Sequence, residues 1–396
     1  MKINYAKRLG NLPPYIFASI EELKAEKKKE GVELISLGIG DPDIPTPKLI
    51  LDNIAEELRK PENHQYPSSN GHPYFRKGIA KWYKTRFGID LDPDTEVSHV
   101  LGGKDGVANI SRAFVNPGDY VLATAPGYPV YQNGAAVLND AEAYILPLKA
   151  ENEFLPQYNI IPDDVLSKAR ILYINYPNNP TGAIAPMDFL EKTVNFAMKN
   201  DLVVVFDNPY SEFTFGGYIA PTILQVDGAM ECCVEINSMS KTFCMTGHRI
   251  GWVAGNAKII AGLRKVKSNI DSGGPPYIQK GVIPAMELYT SPEKPEIVAD
   301  NMKRYEKRMK YLVDRLNGMG WSAEMPKATF YLWNKLPEGE TDSMEFTKKL
   351  INAGVVITPG IGFGKDGEGY VRFAVTVGMD KLKEACNAIE KVVKNI

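Results

Sequence analysis

Leu202-Val203-Val204-Val205-Phe206-Asp207-Asn208-Pro209-Tyr210 is a short β-branched apolar run that ends abruptly in an acid and a turn. Such a run reads as a strand buried on both faces, as in a parallel sheet covered by helices. Similar runs stand before and after it: Tyr120-Val121-Leu122-Ala123-Thr124, Ile171-Leu172-Tyr173-Ile174 and Ile250-Gly251-Trp252-Val253-Ala254. Helical patterns separate them from about Thr46 to Thr290. This alternation predicts an α/β fold whose large domain has a mostly parallel sheet flanked by helices.

The pattern then changes. A charge-rich helical stretch runs from Pro295 to Asn317. Strand-like Ala328 to Trp333, a helix near Ser343 to Ala353, strand-like Val371 to Val375 and a helix from about Asp380 to Val393 follow. They predict a smaller α+β domain. The expected division is an N-terminal arm at 1-45 joining the small domain, a large domain at 46-290 and the small C-terminal domain at 291-396.

The chain has 396 residues, 44% hydrophobic and 24% charged, which suits two ordinary globular domains. A net charge of −2 gives no pull toward nucleic acid or an anionic membrane. No apolar run has the length of a bilayer span, and Met1 to Arg8 lacks the core of a signal peptide. Cys232, Cys233, Cys244 and Cys386 show no metal-ligand spacing and fit a reducing, cytoplasmic setting. The four histidines are scattered. No metal site is expected.

Ligands of open α/β sheets bind beyond the carboxyl ends of the strands. Asp207 therefore stands where a carboxylate can meet a cationic ring nitrogen, or where it simply caps the following turn. Asn179 ends another strand-to-turn segment, Ile174-Asn175-Tyr176-Pro177-Asn178-Asn179-Pro180-Thr181-Gly182. Its neighbour Pro180 pushes its backbone toward extended geometry, freeing the amide to donate. In Ser238-Met239-Ser240-Lys241 a lysine sits between hydroxyls, and Arg249 follows in Gly247-His248-Arg249-Ile250-Gly251. That arrangement suits a lysine held as a Schiff base to a phosphate-bearing aldehyde, with pyridoxal 5'-phosphate as electron sink. Gly102-Gly103-Lys104-Asp105-Gly106 precedes a helical pattern and offers free N–H groups to a phosphate. Neither this loop nor Gly360-Ile361-Gly362-Phe363-Gly364 has dinucleotide spacing; the latter reads as a flexible loop.

Taken in order, Asn179-Pro180-Thr181-Gly182, Asp207-x-x-Tyr210, Ser238-x-Ser240-Lys241 and Gly247-x-Arg249-x-Gly251 resemble the signature of the fold-type I, class I/II PLP-dependent aminotransferases. Cys244 departs from that pattern, standing where a small or aliphatic residue is common. The resemblance implies that Lys241, Asp207 and Tyr210 are the catalytic residues. It implies that Gly103, Lys104, Tyr128, Asn179, Ser238, Ser240 and Arg249 hold the cofactor, with Tyr128 stacking on its ring. It implies that Arg372, in Tyr370-Val371-Arg372-Phe373, takes the substrate carboxylate. Finally it implies a homodimer with shared sites, in which Tyr66 reaches the neighbour's phosphate and Asn269 lines the neighbour's pocket.

Within that group the chain is most similar to the LL-diaminopimelate aminotransferases. The likeness rests on Leu12-Pro13-Pro14-Tyr15, Leu37-Gly38-Ile39-Gly40-Asp41-Pro42-Asp43, His64-Gln65-Tyr66-Pro67-Ser68 and Lys267-Ser268-Asn269-Ile270-Asp271-Ser272-Gly273. It implies Tyr15, Gly40, Asn179, Asn269 and Arg372 as substrate contacts, with 2-oxoglutarate and glutamate as one pair. That family usually carries a Glu in the loop after Tyr66; this chain has Ser68-Ser69-Asn70. Lys104 or Arg264 could then meet the distal carboxylate of aspartate or glutamate, Arg264 being otherwise a solvated charge. A C–S lyase on the same fold would carry identical cofactor motifs.

Overall fold

The computed structural model describes residues 3–13 and 18–395; Tyr15, one expected substrate contact, lies outside them. Seven strands form the main sheet, in the spatial order Val97–Val100, Gly251–Gly255, Cys233–Ser238, Val203–Asp207, Ala169–Asn175, Tyr120–Ala125, Glu142–Pro147. The last five run parallel. Gly251–Gly255 is antiparallel to both neighbours. The reason is local. A parallel return needs a crossover of about a dozen residues or more, usually a full helix. Only the one-turn helix Met239–Thr242 and the turn Thr246–His248 separate Ser238 from Gly251, so the chain doubles back.

Val203–Asp207 lies between Ala169–Asn175 and Cys233–Ser238 and is covered on both faces. Successive side chains of a strand point to opposite faces. Val204 and Phe206 pack into one core with Leu172, Phe189 and Val194; Val205 packs into the other with Val107, Ile110, Ile260 and Leu263. Helices Gly103–Phe114 and Ala257–Lys267 supply the second set, and Met187–Lys199 part of the first. Register aligns Asn175 with Asp207, and Asp207 with Ile236, so three strand ends share one edge.

A second sheet joins Thr358–Pro359, Tyr370–Ala374 and Tyr331–Lys335, all antiparallel. The strand expected from Ala328 begins later. Ala328 makes only an isolated bridge to Thr214, and Thr329 takes a left-handed φ of 68°, so the chain turns before the ladder starts. Ile35–Ser36 pairs in parallel with Val355–Val356. The helix Ala18–Lys29 rests through Ile20 and Leu23 on Ile351 and Val356. Gly360–Phe363 is a packed 3-10 turn, not the flexible loop expected. A Cβ on Gly360 would fall 1.9 Å from the Gly367 carbonyl, so this backbone approach requires glycine. No helix of the described residues is long and apolar enough to cross a membrane.

The segment after Asp207 is pinned by a buried ion pair. Arg86, on helix Pro73–Phe87, donates through Nε to Glu212 Oε1 at 2.9 Å, and Tyr289 donates to Oε2 at 3.0 Å. Removing one member strands a buried charge. Arg86→Met is expected to lose about 3–5 kcal/mol in urea unfolding. Arg86→Met with Glu212→Gln should recover much of that loss, because no unpaired charge is left.

Candidate active site

A cavity of about 710 Å³ opens at the carboxyl edge of the main sheet, where residues from both sheets and from the N-terminal segment meet. Its lining brings together Gly40, Gly103, Lys104, Tyr128, Asn179 and Asp207 with Tyr210, Ser238, Ser240, Lys241, Arg249 and Arg372. A concave site with a few convergent polar groups is where ligands bind.

Lys241 sits on the single turn Met239–Thr242, whose N-cap is Ser238; the Ser238 hydroxyl accepts from Ser240 N–H at 3.0 Å. The turn begins immediately beyond the Cys233–Ser238 strand, which places the amine at the sheet edge. Nζ donates to the Gly40 carbonyl at 2.7 Å and lies 5.4 Å from the Phe330 ring centre. Burial drives its pKa down to about 8, outweighing the opposing pull of Asp41. The amine is therefore a far better nucleophile near neutrality than an ordinary lysine.

Asp207 is buried. Its Oδ2 accepts from the Tyr131 hydroxyl at 2.6 Å, and its Oδ1 has no partner. Burial raises its pKa to about 6, while the Tyr131 hydrogen bond works against the rise. With Tyr131 as its one side-chain partner among the described residues, Asp207 is not a turn cap. An unsatisfied carboxylate oxygen is costly. A cationic N–H in the cavity would satisfy it.

Asn175 organises the neighbouring turn. Its amide donates to the Asp207 carbonyl at 2.7 Å, and its Oδ1 accepts from Asn179 N–H at 2.8 Å. Asn179 Oδ1 in turn accepts from Arg372 Nη1 at 2.7 Å. The acceptor end of Asn179 is thus engaged, and its NH₂ is the end left to donate to a ligand. Arg372 also donates from Nη2 to the Gly38 carbonyl at 2.6 Å. Its guanidinium lies between two aromatic faces, 4.2 Å from the Tyr331 ring centre and 4.7 Å from that of Phe363. Its Nε is buried without a partner. A planar fork held flat with a donor to spare suits a carboxylate. Tyr210 and Tyr331 hydroxyls meet at 3.0 Å. Gly40 has to be glycine: a Cβ there would fall 1.8 Å from the Tyr331 hydroxyl.

The opposite end is an anion cradle. Gly102 has φ 88° and precedes the N-terminus of helix Gly103–Phe114. A Cβ on Gly102 would lie 2.5 Å from Arg249 Nη2, so glycine lets that guanidinium approach. Arg249 donates to the Leu101 and Thr246 carbonyls, at 3.1 and 2.7 Å. The Ser238 and Ser240 hydroxyls lie 2.8 Å apart. Helix N–H groups, hydroxyls and a guanidinium together suit a phosphate. The cradle, the unsatisfied Asp207 oxygen and the Lys241 amine fit the phosphate, ring nitrogen and aldehyde of the cofactor expected from the sequence.

Tyr128 is half-buried on the cavity wall, with Lys104 Nζ 5.5 Å from its ring centre and Tyr131 edge-on at 5.9 Å. Tyr66, 93% exposed, and Asn269, whose amide donates to the Lys265 carbonyl at 2.9 Å, do not line this cavity. Arg264 corrects both readings made of it. It neither faces the cavity nor extends freely into water, but donates to the Asp94 and Val97 carbonyls at 2.5 and 2.6 Å. Five lining residues carried no motif: Tyr131, Tyr331, Phe363 and the charged pair Glu21 and Lys24, joined at 2.9 Å. Tyr131 stands three residues after Tyr128 in the sequence, and Phe363 falls in the Gly360–Gly364 stretch, but neither position marked a role there. No group of three or more His, Cys, Asp or Glu among the described residues could hold a metal.

Residues 32–389 match the family described as aminotransferase class I and II. The chain is 46% identical to an LL-diaminopimelate aminotransferase of Moorella thermoacetica, covering 99% of both proteins. It is 47% identical to one of Aquifex aeolicus, covering 98% of this chain and 99% of that protein. Among solved structures it is similar to substrate-bound BacF of Bacillus subtilis, with a TM-score of 0.93 and 32% identity over 99% of this chain and 98% of that one.

The depressed pKa of Lys241 has a direct consequence. In cofactor-free protein its neutral fraction should rise as pH passes about 8, well before bulk lysines lose their protons. Amine acylation followed by peptide mass mapping should show Lys241 labelled ahead of exposed lysines at pH 8–9. Labelling in step with them would contradict the assignment.

Proposed function

The chain belongs to the class I and II aminotransferases, and from that premise we propose that it uses pyridoxal 5'-phosphate to exchange amino groups between LL-diaminopimelate and 2-oxoglutarate. We further propose that it does so in the cytoplasm, in lysine biosynthesis, as a homodimer with shared sites. The observation that carries the cofactor reading is the buried, unpartnered oxygen of Asp207, in one cavity with the Lys241 amine and the Gly103–Arg249 cradle.

Bound there, the cofactor supplies an aldehyde that takes up amines and a ring that withdraws electrons. Lys241 would be the nucleophile that holds it, and its amine would serve as the general base for the proton on the substrate Cα. Asp207 keeps the ring nitrogen protonated, since an opposite charge in a poorly solvated site favours the charged form. Tyr210 and the Asn179 NH₂ hold the ring oxygen. Tyr128 covers the ring face. Gly103 and Lys104 N–H groups, Ser238, Ser240 and Arg249 hold the phosphate. Arg372 binds the substrate α-carboxylate as a fork, beside Gly40. Tyr66 and Asn269, exposed and away from the cavity of their own chain, are suited to complete the partner's site. Tyr15 is assigned to the substrate on the resemblance alone.

The names borne by the Moorella and Aquifex relatives support the substrate. So do Glu21 and Lys24 on the cavity wall, opposite charges for a distal ammonium and carboxylate. Ser68-Ser69-Asn70, in place of an acid, favours a second reading: an aspartate-, alanine- or aromatic-type aminotransferase. A C–S lyase would differ by releasing ammonia along with its keto acid.

A panel of amino donors with 2-oxoglutarate should rank LL-diaminopimelate first and release no ammonia; aspartate, alanine or an aromatic donor ranking first would select the second reading. Borohydride should fix cofactor mass on the peptide containing Lys241. Lys241→Ala should lose that mass, the visible absorbance and all turnover. Arg372→Met should lower kcat/KM for the amino donor by about 10- to 100-fold, the scale of losing hydrogen bonds to a charged group. An unchanged value would remove Arg372 from substrate binding.

A further inference from the structure

Behind the glycine loop lies a buried charge cluster that takes no part in the chemistry above. Lys267, at the end of helix Ala257–Lys267, is 0% exposed. Its ammonium donates to Asp105 Oδ2 at 2.9 Å and to Asp271 Oδ2 at 2.7 Å. A buried charge persists only when it is paired and hydrogen-bonded, and each of these carboxylates goes on to hold backbone. Asp105 Oδ2 accepts from Leu101 N–H at 2.9 Å, while its Oδ1 accepts from the Asn109 amide at 2.7 Å. Arg249 holds the Leu101 carbonyl at 3.1 Å. Leu101 is thus fixed at both its N–H and its C=O, immediately before Gly102 turns the chain into the helix.

On the other side, Asp271 Oδ1 accepts from Gly273 N–H at 2.7 Å. A Cβ on Gly273 would fall 2.3 Å from the Ser68 carbonyl, so this segment packs directly on the loop that follows Tyr66. Asn269 stands two residues beyond Lys267. One ammonium therefore joins the anion cradle of this chain to the segment bearing Asn269, which packs on the loop that follows Tyr66.

We propose that Lys267 is a positioning residue. Through Asp105 it keeps the Leu101–Gly103 backbone shaped for a phosphate, and through Asp271 it ties that shape to the 268–274 segment. This rests on reading the cavity as a pyridoxal phosphate site. Lys267 itself touches neither cofactor nor substrate.

The test compares two probes on full-length, cofactor-stripped protein in phosphate-free buffer, well below the melting temperature. Pyridoxal 5'-phosphate and pyridoxal, which lacks the phosphate, are titrated by absorbance. Wild type should prefer the phosphorylated form. Lys267→Met should bind that form on the order of tenfold more weakly, as when a group that orients direct ligand donors is lost, with pyridoxal affinity unchanged. Asp271→Asn leaves a one-to-one Lys267–Asp105 pair, and should show a smaller loss of the same kind. It decides the matter if Lys267→Met does not fold. An equal loss for both probes, the mark of a purely structural defect, or undiminished discrimination in the folded variants would overturn the proposal. Wild type binding neither probe would defeat the cofactor reading itself, and this proposal with it.

Discussion

A carboxylate taken out of water at the end of a central strand, and left one hydrogen bond short, is the constraint around which this molecule is organised. Asp207 reaches that state because Val203–Asp207 has a parallel strand on each side and a core on each face. Desolvation alone would favour its neutral form. The Tyr131 hydroxyl opposes this by holding one oxygen. What remains is a group whose charged form is within easy reach at neutral pH, and whose free oxygen gains most from a cationic donor. Such poise is characteristic of functional sites. It needs no metal and no unusual residue, only depth.

The rest of the site follows from where strands stop. Asn175, Asp207 and Ser238 end neighbouring strands, and each begins a turn that carries a cavity-lining side chain: Asn179, Tyr210 and Lys241. The second sheet supplies what the first cannot. Arg372 lies on Tyr370–Ala374, yet its guanidinium crosses to Asn179 on the main-sheet side. Two aromatic faces, Tyr331 and Phe363, keep it flat. The same Tyr331 meets Tyr210 and forbids a side chain at Gly40. The Arg372 side and the Tyr210 side of the cavity are thus both shaped by one tyrosine.

Much of this was legible in residue order. The strand runs and the acids and amides that end them are local patterns, and burial on both faces writes itself as continuous apolar stretches. Residues whose role depends on two distant segments were not legible. Tyr331, Phe363 and Lys267 look like ordinary core or surface positions in isolation, and their meaning comes from contacts across the chain. Arg264 shows the converse. Its basic, helical surroundings suggest a solvated charge, whereas it donates to the Asp94 and Val97 carbonyls. The direction of the strand Gly251–Gly255 is not legible for a third reason: alternation reports that strands exist, but the length of the connection sets their direction.

The N-terminal segment shows why an arm far away in sequence belongs to the site. Leu37 sits between two strands, its N–H donating to Val356 and its carbonyl accepting from Ala374. The next three carbonyls then face polar partners: Gly38 accepts from Arg372, Ile39 from Thr376 and Gly40 from Lys241. A short run of backbone is thus the resting partner of both the amine and the guanidinium. Neither cation is left unpaired, which would be costly at this depth. Neither is locked in an ion pair, from which it would be harder to draw away. A neutral carbonyl is the weaker partner of the two, and a carboxylate or an electrophile entering the cavity can displace it. Two glycines make the arrangement possible, because the Cβ of any other residue at Gly40 would occupy the place of the Tyr331 hydroxyl, and one at Gly38 would press on Ile357 and Thr358.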